Sequence, residues 1–281
     1  MKKISAFAFI IIMMVVLSAC GSSGQSSGSS EIKRQSVDAQ KMTITINQWD
    51  SDGKEIESIQ REGTYTGEIV DGKPDGNGKF ESKNSSGVAW SYEGSFKNGL
   101  FDGEGKNIWE DGSFAEIGHF EQGTFKPTKA QLFDSLQYTG IAKYSMDKTA
   151  SDYIDANSDY FPCTTDDSKK AAQSATDNTI AYKQIIKTIS AYSGKMIYSG
   201  PLYVTQIIEK HAFGHTVTYI IAADSDSNIY YYCYDGSLPG IYEQSRIDAY
   251  GLVLDLSSFK NVSGGTTNVV VVAGSIVNLI K

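Results

Sequence analysis

Apolar and polar positions change rhythm several times along the 281-residue chain. Residues 4–17 are apolar except for Ser5, a run of 14 that follows Lys2 and Lys3. It is shorter than the roughly 20 residues a membrane-spanning helix needs and fits the hydrophobic region of a secretory leader. Residues 21–30 are Gly, Ser and one Gln, which can bury nothing and predict a flexible tether. A ten-residue coil of this kind spans about 18 Å. From Thr43-Ile44-Thr45-Ile46 onward apolar and polar residues alternate as in half-buried strands, with a first turn at Asp50-Ser51-Asp52-Gly53. Thr128 is placed to cap a helix from Lys129 to about Gln137, with Ala130, Phe133 and Leu136 on one face. Residues 138–178 are polar and predict irregular structure with short helices, anchored by Tyr160-Phe161-Pro162. Ile180, Ile185, Ile186 and Ile189 mark a further short helix. Five strand-like runs follow, over residues 196–208, 216–223, 229–234, 247–259 and 268–279.

The alternating segment carries an internal repeat. Fourteen of the 27 glycines lie between Gly53 and Gly123. Tyr65, Gly67, Gly72, Gly76 and Gly78 are matched by Tyr92, Gly94, Gly99, Gly103 and Gly105 at a constant offset of 27, while Phe80 finds its counterpart one residue late, at Ile108. Each unit reads as a strand, a turn and a return strand that opens at Gly76 or Gly103, where the backbone bends. This pattern resembles the MORN repeat over about residues 63–126, and the resemblance implies one elongated antiparallel sheet of successive hairpins serving interaction rather than catalysis. A third unit keeps Gly118 and Gly123 but has Glu116 in the tyrosine slot and no Gly-x-Gly, which reads as a terminal cap. Residues 43–49 are placed to supply the opposite cap. The recurring aromatics, from Trp49 to Phe120, are explained by stacking into a thin core on one face; an adhesive stripe is the alternative.

The order of the last five runs, a long strand, a tight three-strand meander, an irregular link and two closing strands, resembles an OB-fold barrel. Arg246-Ile247-Asp248-Ala249-Tyr250-Gly251 and Gly264-Gly265 also look like OB-type domains of bacterial lipoproteins. That resemblance places a ligand face at Tyr219, Tyr230 and Tyr232 beside the Asp224–Asn228 turn. The alternative is that these tyrosines only line the barrel exterior.

Chemistry adds an address more than a reaction. Leu17-Ser18-Ala19-Cys20 resembles a bacterial lipobox, which implies diacylated Cys20 as the mature N-terminus, held to the membrane by two acyl chains. Removing residues 1–19 leaves 23 basic and 33 acidic residues, a net charge of −10, so lipid chains rather than charge hold the body to an anionic surface. The architecture resembles Gram-positive lipoproteins. Cys163 and Cys233 are the remaining thiols, either bridged or separately buried. His211 and His215 flank an expected turn, which argues against zinc, and Ile229 stands where a calcium loop after Asp224 requires glycine, even with Asp235 in the closing position. No metal and no cofactor is expected. Residues 194–281 carry 5 basic and 7 acidic groups, the wrong sign for a phosphate groove, so single-strand nucleic-acid binding is disfavoured.

The expected organisation is a leader (1–19), an acylated tether (20–40), a repeat sheet (41–127), a helical or irregular connector (128–193) and an OB-like barrel (194–281). The fold class is mainly β: a MORN-repeat antiparallel hairpin sheet plus a five-stranded barrel, with short helices between. The leading functional expectation is a lipid-anchored, non-catalytic binding or scaffold protein whose partners are the membrane and a protein or envelope component. The alternative is an envelope hydrolase acting on wall or glycan through acids in the connector, among them Asp152, Asp155, Asp159, Asp166 and Asp167.

Overall fold

The computed structural model describes residues 33–49, 55–140, 142–260 and 264–280. The expected leader, Cys20 and the Gly/Ser tract lie outside them. The chain is mainly β, with short helices in its middle. Seven antiparallel strands form the first sheet in chain order: β1 (Arg34–Trp49), β2 (Glu55–Val70), β3 (Lys73–Lys83), β4 (Ala89–Lys97), β5 (Leu100–Trp109), β6 (Ala115–Glu121) and β7 (Thr124–Phe125). β1 starts at Arg34, so residues 34–40 belong to the sheet and not to the tether. This stretch has no apolar alternation to reveal it; it is held by pairing with β2 and by Arg34, which bridges Glu68 and Asp75 on the surface.

Register explains the repeat. Gly67, Gly78, Gly94, Gly105 and Gly118 are successive partners from β2 to β6, so a row of glycines crosses the sheet. The Tyr65 ring lies where a Cβ on Gly78 would be, and the Tyr92 ring lies where one on Gly105 would be. Each hydroxyl then donates to the carbonyl three residues ahead on its own strand, Tyr65 to Glu68 (2.8 Å) and Tyr92 to Ser95 (2.9 Å). Tyr92 is stacked on Phe101 at 3.7 Å and meets Phe96 and Phe120 edge-on. The recurring aromatics are therefore mostly a core: Tyr65, Phe80, Tyr92, Phe96, Phe101 and Phe120 are all buried. Gly76 and Gly103 take φ of +113° and +104°, a region L side chains rarely enter; they lie three residues inside β3 and β5, opposite register shifts in β2 and β4, rather than where the return strands open.

The sheet is rolled. β1 and β7 are its opposite edges, yet the Asn47 amide donates to the Gln122 carbonyl (3.0 Å) in the β6–β7 turn, and Ser58 holds the other end of that amide.

Helix α1 (Lys129–Ser135) begins at the Thr128 cap, with Gln131 completing a capping box, and runs into a 3₁₀ turn at Leu136–Tyr138. Three more short helices follow: α2 (Lys148–Ala156), α3 (Asp166–Ser174) and α4 (Tyr182–Lys187). The last five strands, β8 (Met196–Ala212), β9 (His215–Ala223), β10 (Ile229–Asp235), β11 (Arg246–Lys260) and β12 (Thr266–Leu279), form a closed barrel of order β8-β9-β10-β12-β11-β8. Pairing is antiparallel throughout except between β10 and β12. Both faces of its strands are covered. Tyr219, Tyr231 and Cys233 face a core shared with Leu132, Phe133 and Leu136 of the α1 region and Ile154 of α2, whereas Tyr230 and Tyr232 face one shared with Ile185 of α4 and with Ile241. Burial on both sides is why β10 and β12 read as unbroken apolar runs.

Sheet and barrel are tied at named points. The β8–β9 hairpin turns on Phe213-Gly214, both at positive φ, and the Phe213 ring packs against Phe114 (5.8 Å) and Phe125 (5.7 Å) of the rolled sheet. Lys129 and His215 both bond Asp235; burial alone would raise that carboxyl, but these two partners outweigh it and hold it below the usual carboxylate range.

The ring-over-glycine contact makes a testable claim. Gly105→Ala is expected to cost about 1–3 kcal/mol, as for an overpacked core, because its methyl takes the place of the Tyr92 ring. Tyr92→Phe keeps the ring and loses one hydrogen bond, for about 1 kcal/mol. Urea unfolding of the two variants beside the parent measures both, and a Gly105→Ala variant as stable as the parent would remove the contact from the account.

Candidate functional site

The aromatic row of the repeat does not run the whole width of the sheet. Tyr65, Phe80 and Tyr92 are consecutive partners across β2, β3 and β4, each fully buried. The same register continues to Asn107 on β5 and Glu116 on β6. Asn107, and not Ile108, therefore occupies the slot of Phe80, at the same offset of 27 as the rest of the repeat, while Glu116 takes the tyrosine slot of the third unit. Two polar side chains of smaller girth stand where two rings would stand.

Space opens beside them. A cavity of about 600 Å³ lies within the rolled sheet. Trp90, Trp109, Phe101, Phe114, Phe125 and Phe213 give it aromatic walls. Arg61, Asn84, Glu116, Thr124 and His211 give it polar ones, and the exposed Ser85 and Ser86 of the β3–β4 turn form part of its rim. Trp90 is buried, whereas Trp109, Phe114 and Phe213 remain partly accessible.

The polar pair has a definite electrostatic state. Asn107 Nδ2 donates to Glu116 Oε2 at 2.8 Å, while Asn107 Oδ1 is buried with no hydrogen-bond partner among the described residues. Burial pushes the Glu116 carboxyl up to about 7, against the opposing pull of the Asn107 hydrogen bond. A carboxylate so placed is half-protonated near neutral pH, and a core of neighbouring rings offers its charge little solvation. Arg61 makes no ion pair among the described residues, so its charge is open to the cavity.

The barrel does not present the expected ligand face. Tyr219, Tyr230 and Tyr232 are 2%, 4% and 0% exposed, and Tyr219 belongs to the opposite core from the other two. They are spacers between barrel and helices; Tyr219 stacks on Tyr231, and the Tyr232 hydroxyl meets Ser199 at 2.6 Å. Cys163 and Cys233 are free, buried thiols and not a bridge: Cys163 lies 3.5 Å from the Ser275 hydroxyl, and burial pushes the Cys233 thiol up to about 12.

Most of the remaining candidates have structural work, and Asp159 is an exposed side chain at the end of the turn after α2. Asp224 accepts from the backbone of Asp226 and Asn228 and closes a hairpin turn. Asp155 caps α1 through the Ala130 amide and the Thr128 hydroxyl, Asp152 pairs with Lys148, and Asp166 and Asp167 open α3. Among the described residues, no group of three or more His, Cys, Asp or Glu is arranged to hold a metal.

The MORN repeat family model matches residues 65–87 and 92–114, which are the two complete units of the sheet. No curated protein matches the chain, and no solved structure does.

Glu116 makes stability depend on pH in a calculable direction. Its folded value of about 7 lies above the ordinary 4.5, so the folded state binds the proton more tightly. The parent should be favoured below about pH 4.5, lose stability as the pH rises to about 7 and change no further from this source above it. Allowing for the solvent that reaches the cavity, the loss is about 1–2 kcal/mol. Glu116→Gln should abolish that slope, so urea unfolding of parent and variant from pH 4.5 to 8 should show curves that diverge through this window; parallel curves would refute a half-buried Glu116 that titrates there.

Proposed function

We propose that this chain is a lipid-anchored, extracytoplasmic, non-catalytic binding protein whose ligand site is the cavity in its MORN sheet, with the barrel as its rigid platform. The observation that carries the reading is the break in the aromatic row at Asn107 and Glu116, beside which lies a walled recess lined by a titratable carboxyl and by the Arg61 guanidinium, which has no ion pair among the described residues. A recess of this size with a few convergent polar groups is the form small-molecule sites take. Binding suits the site better than turnover, because four of the five connector acids, Asp152, Asp155, Asp166 and Asp167, serve helix termini or a surface pair.

The anchoring part rests on sequence: Lys2 and Lys3, the apolar run over 4–17 and Leu17-Ser18-Ala19-Cys20. Among the described residues no helix is long and apolar enough to cross a membrane. The barrel is read as an OB-fold, supported by its strand order and by the single parallel pair, β10 with β12, that closes it. Its likeness to ligand-binding OB domains stops at topology, since the tyrosines on its second and third strands are internal. The partners in this reading are the membrane, through the acyl chains of Cys20, and an envelope component or protein at the sheet.

Cys20→Ala tests the anchor. The variant should leave the membrane fraction or persist as an unprocessed precursor, read by fractionation and intact mass. A variant that matures and partitions like the parent would overturn the lipid-anchored reading.

A further inference from the structure

The walls of the cavity narrow what it can hold, and this inference rests on the reading of the cavity as a ligand site. Charged groups face it from two elements, Arg61 from β2 and Glu116 from β6, and the imidazole of His211 on β8 lines it beside them. An apolar chain would strip water from Arg61, Asn84 and Glu116 without replacing their hydrogen bonds, a loss that favourable burial against the rings would have to overcome. A small organic cation would be drawn to Glu116 but would share the space with the Arg61 guanidinium. An anion would pair with Arg61 but meet the carboxylate once Glu116 ionises.

A neutral polyol meets none of these objections. Its hydroxyls both donate and accept, so one ring can serve the Arg61 guanidinium, the Asn84 amide, the Thr124 hydroxyl and the Glu116 carboxyl in either protonation state. Its C–H faces are apolar and flat enough to lie on partly accessible rings such as Trp109 and Phe114, whose centroids are 5.3 Å apart. The mixture of planar polar groups and aromatic faces in one recess of about 600 Å³ is the complement of such a molecule. We propose that the cavity binds a neutral saccharide, its ring faces against Trp109 and Phe114 and its hydroxyls toward Arg61, Asn84 and Glu116.

The test is calorimetric titration of the full-length chain, solubilised in a detergent without a sugar head group, with the neutral trisaccharides chitotriose, maltotriose and cellotriose and, in parallel, with hexylamine and octanoate. At least one trisaccharide should bind saturably. Trp109→Leu should weaken it by about tenfold or more, and Arg61→Met should weaken it as a second variant in case the first fails to fold. Saturable binding of hexylamine abolished by Glu116→Gln, or of octanoate abolished by Arg61→Met, with no trisaccharide bound, would overturn the saccharide while leaving the cavity as a ligand site. Saturation by none of the five probes would overturn the saccharide and count against the cavity as well. Trisaccharide binding unchanged in both Trp109→Leu and Arg61→Met would place the sugar elsewhere and overturn the proposal.

Discussion

A tyrosine ring laid across a glycine of the next strand is the contact on which the first half of the molecule depends. A single-layer sheet has no opposing layer to supply a core, so its apolar side chains must bury one another. Gly78 and Gly105 make room for Tyr65 and Tyr92 to lie flat, and the tyrosine hydroxyls bond back to their own strands. Phe80, Phe96, Phe101 and Phe120 then pack around those rings. The same constraint creates the cavity. Once Asn107 and Glu116 replace the rings at the end of the row, nothing in the sheet is large enough to fill the space, and the roll of the sheet encloses it.

The barrel solves the burial problem differently. Its strands are covered on both faces, with α1 and α2 packed against one core and α4 and the β10–β11 link against the other, so its tyrosines act as packing, the Tyr219 and Tyr232 hydroxyls meeting Thr139 and Ser199. One of its hairpins is spent on the sheet. Phe213 adopts a backbone conformation unusual for a bulky residue, and its ring sits against Phe114 and Phe125. The Lys129–Asp235–His215 cluster and the reach of Gln131 to Glu104 and the His119 amide fasten α1 between the two halves. The cavity wall is thus made partly by the β8–β9 hairpin of the other module, His211 to Gly214.

Much of this was legible in the sequence. The offset of 27 located the hairpins, Thr128 marked the helix start, and the five apolar runs fell on the five barrel strands with extensions of a few residues. Glu116 was visible as a departure from the repeat, but departure at an end unit reads as wear unless its neighbour is known. Asn107 was hidden because the apolar Ile108 beside it looked like the missing aromatic, and only register shows which of the two faces the core. The start of β1 gave no apolar signal, since a surface strand held by its partner and by ion pairs needs none. The tyrosines of β10 looked like a binding face because alternation implies one open side, and only the packed helices remove it. The cavity itself depends on Asn47 meeting Gln122, 75 residues away, which no local pattern encodes.

That meeting of Asn47 with the β6–β7 turn also fixes how the repeat array can evolve. An open array can gain or lose a unit at its end with little disturbance beyond the new neighbour. Here both edges are committed to each other, so inserting one more 27-residue hairpin would carry Gln122 and Thr124 away from Asn47 and open the roll. The number of hairpins is set by circumference rather than by length. Variation is therefore confined to which residues interrupt the aromatic row, and a lineage of such proteins would diversify its contents by substitution within a closed form instead of by duplication.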